Sequence, residues 1–163
     1  MLVLIGMPGS GKSSSGRQLA QELDVDFLDL DDLVVSDASE TVGELFRRIG
    51  EVEFREREIV ALRRSADVSI VATGAGVVTT AEARALLSQQ TCAWLRVPLE
   101  TLAQRLHGVD RPLLDGDPVT KLRELRDARE NFYRELATYD IDASGTLKDT
   151  VQRLRDVASE LTT

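Results

Sequence analysis

An unbroken apolar run, followed at once by a glycine-rich motif, constrains this chain more than any other feature. The run is residues 2–5, LVLI, and the motif is residues 6–13, GMPGSGKS, which matches G-x-x-x-x-G-K-[ST] at every fixed position. Residues 14–23 then carry apolar side chains at helical spacing. A strand, a glycine loop and the start of a helix, in this order, are the setting in which the motif binds phosphate.

This loop is therefore predicted to hold the phosphates of a nucleotide. Glycines let the backbone close around an anion, and the N–H groups at the helix N-terminus point towards it. Lys12 would reach the β and γ phosphates, and the Ser13 hydroxyl would hold Mg²⁺. A glycine-rich turn with an exposed lysine is the alternative, and the flanking strand and helix argue against it. The predicted nucleotide-binding residues of the loop are Gly9, Ser10, Gly11, Lys12, Ser13 and Ser14.

The length and the net charge of the chain limit the class of protein that it can be. A chain of 163 residues is expected to form a single domain, residues 1–163. The net charge of −8 argues against nonspecific binding to nucleic acid or an anionic membrane, so an anionic substrate must be met by local arginines. The single cysteine, Cys92, excludes a disulfide framework and is expected to be a buried, inert thiol. No apolar run reaches the length of a membrane span, and we expect a cytoplasmic monomer.

Strand and helix patterns alternate along the chain. Short apolar runs predict five strands, at residues 2–5, 25–29, 68–73, 92–97 and 139–142. Apolar stripes predict helices up to residue 23 and at 41–49, 51–64, 80–88, 98–106, 119–137 and 147–161. The segment from His107 to Pro118 is rich in Gly, Pro and Asp, which indicates a lid at about 107–118. These patterns predict a doubly wound α/β fold, with a five-stranded parallel sheet flanked by helices.

Two carboxylates follow the second predicted strand, where open α/β sheets bind ligands. Alternate residues at a strand end point the same way, so Asp29 and Asp31 are expected to share a pocket. One would hold Mg²⁺ through water beside Ser13, and the other would accept a proton or a hydrogen bond from a substrate hydroxyl. The alternative is that Asp31 or Asp32 only caps the next helix.

Small residues and arginines complete the candidate site. The segment 74–76 follows the third strand and would let a ligand lie against the backbone, although a tight turn would use the same residue types. Guanidinium groups suit carboxylate and phosphate. Four arginines lie in segments close to these loops: Arg55, Arg105, Arg111 and Arg134.

Five short motifs follow one another in a fixed order. They are Leu28-Asp29-Leu30-Asp31, Gly50-Glu51-x-Glu53-Phe54-Arg55, Thr73-Gly74-Ala75-Gly76, Arg111-Pro112-Leu113-Leu114 and Tyr133-Arg134-x-x-Ala137. This ordered set resembles the shikimate kinases, a P-loop family similar to the nucleoside monophosphate kinases. The resemblance covers residues 2–144. It implies transfer of the γ-phosphoryl group of ATP to a hydroxyl of shikimate, giving shikimate 3-phosphate, with Mg²⁺ as cofactor and a lid that closes.

The resemblance implies roles for the residues that match the motifs. Asp29 and Ser13 would hold Mg²⁺. Arg105 would lie near the adenine, and Arg111 would close over the transferring phosphate. The expected catalytic residues are Lys12, Asp31 and Arg111.

The acceptor would be held by a second group of residues. Asp31 would bind its hydroxyls, and Arg55 and Arg134 would grip its carboxylate. Glu58 would orient Arg55. The expected acceptor-binding residues are Asp31, Arg55, Gly74, Ala75, Gly76 and Arg134, and residues of about 31–60 would form the substrate-binding helical segment.

The chain departs from the usual family pattern at two places. Ala75 stands where the family usually has the middle of three glycines, so its methyl group would crowd the acceptor or alter its choice. Residues 143–146 lack the basic residue often found near the adenine, which bears on nucleotide preference. Two alternatives remain open from the sequence: a kinase of another small polyol acid, and a nucleotide-binding switch or regulatory ATPase without a small-molecule acceptor.

Overall fold

A parallel sheet of five strands forms the centre of the computed structural model, which describes residues 1–36, 40–107 and 117–161. The strands are β1 (Leu2–Ile5), β2 (Phe27–Asp29), β3 (Ile70–Ala72), β4 (Thr91–Arg96) and β5 (Tyr139–Asp142). Their order across the sheet is β2-β3-β1-β4-β5, and the neighbouring strands run parallel. The predicted doubly wound α/β class and the five-stranded parallel sheet are confirmed.

Helices cover both faces of the sheet. They are α1 (Lys12–Leu23), α2 (Leu30–Val34), α3 (Val42–Arg64), α4 (Ala81–Leu87), α5 (Leu99–Arg105), α6 (Pro118–Leu136) and α7 (Leu147–Leu161). Alternate residues of β1 enter two different cores, because successive side chains of a strand point to opposite faces. Val3 and Ile5 pack with residues of α3, α4, α5 and α6, whereas Leu2 and Leu4 pack with residues of α1 and α7. The central strand is buried on both faces, as its continuous apolar run predicts.

Two strands start later than their apolar runs suggest. The run at 25–29 yields a strand only from Phe27, because the Val25 N–H donates to the Ala20 carbonyl at 3.0 Å in the turn that ends α1. The run at 68–73 yields a strand only from Ile70, because the Val68 N–H donates to the Ser65 carbonyl at 3.0 Å. In both places the backbone N–H is bonded within a turn, so it is not available to a neighbouring strand.

The long helix α3 bends at Gly50, where the sequence predicts one helix to stop and another to begin. Gly50 has φ 80° and ψ 169°, outside the helical region, although helical hydrogen bonding resumes at once. Thr41 begins α3 with a capping box: its side chain accepts from the Glu44 N–H, and the Glu44 carboxylate accepts from the Thr41 N–H. The predicted substrate-binding segment, about 31–60, spans α2 and most of α3. Its contact with an acceptor stays a prediction.

Two other expectations concern the lid and the single cysteine. Most of the predicted lid, residues 108–116 with Arg111, lies outside the described residues. Cys92 is fully buried in β4, and burial raises the pKa of its thiol to about 12, which agrees with an inert thiol. Among the residues with a described structure, no helix is long and apolar enough to cross a membrane.

Candidate active site

The phosphate loop connects β1 to the first turn of α1. Gly9 and Gly11 have φ values of 76° and 91°, a region that side chains disfavour, so glycine is needed for the loop to turn there. The helix begins at Lys12, whose ammonium donates to the carbonyl oxygens of Gly6 and Met7, each at 2.9 Å. The lysine is thus buried inside its own loop, at the N-terminus of a helix that favours anions.

A cavity of about 500 Å³ opens beside this loop. Three groups of residues line it. The first is the loop with the start of α1, the second follows β2 and β3, and the third combines the end of α5 with residues around the start of α7. These are Pro8, Gly9, Ser10, Gly11, Lys12, Ser13, Ser14 and Ser15; Asp31, Thr73 and Ala75; and Arg105, Gly145, Leu147 and Thr150. The loop residues predicted to bind nucleotide therefore share one cavity with two residues predicted to bind the acceptor.

Asp29 and Asp31 occupy different positions, although their spacing suggests a shared pocket. Asp29 is buried at the end of β2, and its carboxylate accepts a hydrogen bond from the Asp31 N–H at 3.0 Å. Asp29 is therefore the cap of α2, and Asp31 lies in the first turn of that helix, where it lines the cavity. The strand alternation used to pair the two residues ends at Asp29, because the chain turns into a helix there.

Charged side chains fill the space beside two residues of the loop 74–76. A Cβ atom on Gly74 would overlap a carboxylate oxygen of Glu58 and lie 2.9 Å from Oδ1 of Asp31. A Cβ atom on Gly76 would overlap the guanidinium of Arg55. Both positions must therefore be glycine for these side chains to pack against the backbone. Ala75 is the one residue of the loop that carries a side chain, and it lines the cavity.

Arg55 and Glu58 form a buried ion pair on α3. The Arg55 guanidinium donates to Glu58 Oε2 at 2.6 Å and to Glu51 Oε1 at 3.1 Å. Burial would lower the pKa of Arg55, but the charges of Glu58 and Glu51 raise it overall. Burial raises the pKa of Glu58 to about 7 against the attraction of Arg55. The second oxygen, Glu58 Oε1, has no hydrogen-bond partner within the described segments.

Arg129 is a residue of this site that the sequence prediction missed. It lies on α6 and is almost fully buried. Burial lowers the pKa of its guanidinium, and the positive charge of Arg55 lowers it further. Its hydrogen-bonding partner is the hydroxyl of Tyr133, one helical turn later. Two buried guanidinium groups therefore influence each other beside the loop 74–76, an arrangement that suits an anion.

Arg134, the arginine predicted in this role, lies on the exposed side of α6. Its guanidinium donates to Glu130 Oε1 at 3.0 Å, and its side chain is 62% exposed. A signal in the sequence favours the other arginine. Leu122, Arg129 and Tyr133 are spaced by seven and four residues, which places them on one helical stripe, and these three are the buried residues of α6. A role for Arg134 in substrate binding stays a prediction that the observed exposure does not support.

Arg105 joins the phosphate loop to the segment after β5. Its guanidinium donates to the carbonyl oxygens of Ala143 at 3.0 Å, Gly145 at 3.1 Å and Gly9 at 3.4 Å. It therefore lines the cavity next to the segment after β5, where Gly145 also lines it. This placement is compatible with the predicted position near a nucleotide base. Arg111 lies outside the described residues.

Comparisons with known proteins bear on the whole chain. A family model described as shikimate kinase matches residues 8–160. A shikimate kinase of Neisseria meningitidis is 39% identical over 94% of this chain and 92% of its own length. A shikimate kinase of Symbiobacterium thermophilum is 40% identical over 98% of this chain and 96% of its own length. A solved structure of shikimate kinase from Acinetobacter baumannii in complex with shikimate has a TM-score of 0.91 at 36% identity, over 98% of this chain and 92% of that one.

These likenesses agree with the ordered motifs and with the cavity beside the phosphate loop. They extend over nearly the whole chain and include a structure at high similarity. These similarities exclude the alternative of a nucleotide-binding switch that lacks a small-molecule acceptor. The chain belongs to the shikimate kinase family and is an ATP-dependent kinase.

Proposed function

We propose that this chain transfers the γ-phosphoryl group of ATP to one hydroxyl of shikimate, giving shikimate 3-phosphate. The observation that carries the proposal is the pair of buried guanidinium groups, Arg55 and Arg129, beside the loop whose Ala75 lines the cavity. Similarity to the A. baumannii enzyme, whose structure contains shikimate, supports the same acceptor.

The acceptor carboxylate would lie against Arg55 and Arg129. Arg55 already pairs with Glu58 and Glu51, whereas Arg129 has no ion pair within the described parts of the chain. A buried guanidinium that carboxylates influence only from a distance is costly, so an anionic ligand in direct contact would stabilise this arrangement. Guanidinium groups also match a carboxylate with two parallel hydrogen bonds. We assign the second carboxylate-binding position to Arg129 in preference to Arg134.

Asp31 would receive the acceptor hydroxyl. Its side chain lines the same cavity as the phosphate loop, and it packs close to the backbone of Gly74. A carboxylate at this place orients the hydroxyl towards the γ phosphate and accepts its proton as the new O–P bond forms, while the bond between the γ phosphorus and the bridging oxygen breaks and ADP leaves. The acceptor ring would then extend from Asp31 and Gly74 to Arg55 and Gly76, past Ala75.

The phosphate loop would hold the nucleotide. Backbone N–H groups of residues 9–14 and the N-terminus of α1 surround the phosphates, and Lys12 neutralises charge on the β and γ phosphates. Arg105 would lie beside the base and Arg111 would cover the transferring group. A monomeric state and a cytoplasmic location remain predictions from the sequence.

Mg²⁺ fits the donor atoms at this site. The ion prefers oxygen ligands and keeps several waters beside one or two protein groups and the phosphates. Ser13 lines the cavity, and Asp29 lies at the end of β2, where it would act through water. The described residues contain no group of three or more His, Cys, Asp or Glu that could hold a metal by itself, so the phosphates would supply most of the binding. When bound, the ion neutralises charge on the phosphates.

The test follows ADP formation from Mg²⁺-ATP with and without shikimate. The wild-type chain is expected to form ADP at a rate that depends on shikimate, and Lys12→Ala is expected to lower kcat by about a thousandfold. Lys121→Ala is the matched control, because Lys121 pairs with Glu124 on the surface of α6. Slow ADP formation that is indifferent to shikimate would contradict the proposed acceptor and leave the nucleotide site standing.

A further inference from the structure

Tyr133 is the largest fully buried side chain in the described part of the protein. Its ring stacks on Trp94 of β4, with the ring centroids 6.1 Å apart and the planes at 25°. Its hydroxyl donates to the carbonyl oxygen of Ala75 at 2.5 Å. The residue therefore connects the last turn of α6 to Ala75 in the loop 74–76, which comes 58 positions earlier in the chain.

The Tyr133 hydroxyl has a second partner, the guanidinium of Arg129. A phenol offers one donor and can also accept, so both of its capacities are used: it donates to Ala75 and accepts from Arg129. Burial raises the pKa of this hydroxyl well above its usual range, with Arg129 partly opposing the shift. The group therefore stays protonated, and stays a donor, at any pH at which an enzyme is assayed.

The bond to Ala75 also determines where the next peptide N–H points. A trans peptide is planar, with its carbonyl oxygen and its N–H on opposite sides. Holding the Ala75 oxygen towards Tyr133 therefore turns the Gly76 N–H away from it. Gly76 is the position against which the Arg55 guanidinium packs.

We propose that Tyr133 is a positioning residue for the acceptor, because its hydroxyl sets both the direction of the Arg129 guanidinium and the orientation of the Ala75–Gly76 peptide. The inference rests on the proposed function, in which the acceptor carboxylate lies against Arg55 and Arg129 and the acceptor ring reaches Gly76. Tyr133 does not touch the substrate itself. It fixes two groups, from distant segments, in the arrangement that the carboxylate requires.

The test is Tyr133→Phe, which keeps the ring and its stacking on Trp94 but removes the hydroxyl. The KM for shikimate is expected to rise about tenfold, because the Ala75 carbonyl and Arg129 both lose a partner. The KM for ATP and kcat are expected to stay within about threefold of wild type. Tyr139→Phe is the matched control: its hydroxyl contacts Glu160 at 3.0 Å, near the end of α7.

A double substitution separates positioning from general destabilisation. If the hydroxyl acts mainly through Arg129, Tyr133→Phe should raise the shikimate KM by no more than about twofold in an Arg129→Ala background. A shikimate KM unchanged by Tyr133→Phe, or a rise in both substrates' KM together, would overturn the inference. If the wild-type chain itself shows no shikimate-dependent ADP formation, the proposed function fails before the variants are compared.

A second measurement needs no substitution of Tyr133. The chain contains two tyrosines, so uniform labelling with 3-fluorotyrosine gives two ¹⁹F resonances, and Tyr139→Phe identifies the one that remains as Tyr133. Saturating shikimate is expected to shift the Tyr133 resonance and to leave the Tyr139 resonance in place. A Tyr133 resonance that does not move would overturn the inference even if Tyr133→Phe fails to fold.

Discussion

The two halves of the active site are built in different ways. The proposed nucleotide half is one continuous stretch, residues 6–13, whose backbone would surround the phosphates and whose lysine is held by carbonyl oxygens of the same loop. The proposed acceptor half combines Asp31, Arg55, the loop 74–76 and Tyr133, which lie in four separate segments. Local backbone geometry is sufficient for the first half, whereas the second depends on buried side chains that hold one another.

The glycines of the two halves are required for different reasons. In the phosphate loop, Gly11 is needed for its backbone angle, and a Cβ atom there would meet nothing closer than 3.6 Å. At Gly74 and Gly76 the backbone angles are ordinary, but the side chains of Glu58 and Arg55 fill the space. The acceptor half is therefore sensitive to any change in the buried charges, and Ala75 is the residue of the loop 74–76 whose side chain lines the cavity.

The largest expected effect comes from replacing Arg129, one of the four arginines of α6, and comparing it with Arg134 on the same helix. Arg129→Ala should raise the shikimate KM by two to three orders of magnitude, about 3–4 kcal/mol, because a buried charge-assisted contact to the carboxylate is lost. Arg134→Ala is the matched control on the same helix and should change this KM by less than about twofold, since its ion pair is exposed. Steady-state kinetics with shikimate varied at saturating ATP measures both.

A larger rise in the shikimate KM for Arg134→Ala than for Arg129→Ala would indicate that Arg134 binds the carboxylate. The acceptor half would then not depend on buried arginines in the way proposed. Equal loss of ATP and shikimate affinity in Arg129→Ala would instead give Arg129 a structural role. Thermal unfolding of both variants separates that case from a loss of binding alone.

Glu58 makes the acceptor half sensitive to pH. Burial raises the pKa of its carboxyl from 4.5 to about 7, so between these values the folded chain keeps a proton that the unfolded chain has released. The stabilisation from this proton is complete below pH 4.5 and is lost as the pH rises to about 7. The free energy of unfolding of wild type minus that of Glu58→Gln should therefore fall by up to about 3 kcal/mol across this window.

Urea unfolding at several pH values measures this difference. Glu53→Gln, at an exposed position of the same helix, controls for the substitution itself. A difference between wild type and Glu58→Gln that is flat from pH 4.5 to 7, or that grows as the pH rises, would contradict the assignment of the raised pKa to Glu58.

The smallest expected effect is at Ala75. Ala75→Gly removes one methyl group from the cavity wall, which is worth about 1 kcal/mol at most, so kcat/KM for shikimate should change by less than about threefold. Quinate carries an additional hydroxyl, and its kcat/KM relative to shikimate should rise by about three- to tenfold. Ala85→Gly, at an exposed position of α4, is the control. Unchanged selectivity would show that the methyl group does not face the acceptor.

The sequence predicts the fold and the backbone geometry of the phosphate loop, because both depend on local patterns. The strand, loop and helix of residues 2–23 are contiguous, and the capping box at Thr41 and the bend at Gly50 are visible in single short stretches. The acceptor half is harder, since its members meet only after the sheet has formed. Arg129 and Arg134 are both arginines of one helix, and the motif that begins at Tyr133 directs attention to Arg134, whose side chain is exposed. Only the burial pattern of α6 distinguishes them.

The position of Trp94 has a practical consequence. It is the single tryptophan of the chain, it is buried in β4, and it stacks on the residue that supports the acceptor loop. Intrinsic fluorescence is therefore a one-site signal from behind the acceptor pocket, with no label and no coupled assay. Occupation of the acceptor site and unfolding of the sheet will both change the surroundings of one indole. Titrations with shikimate can thus be followed on the unmodified protein.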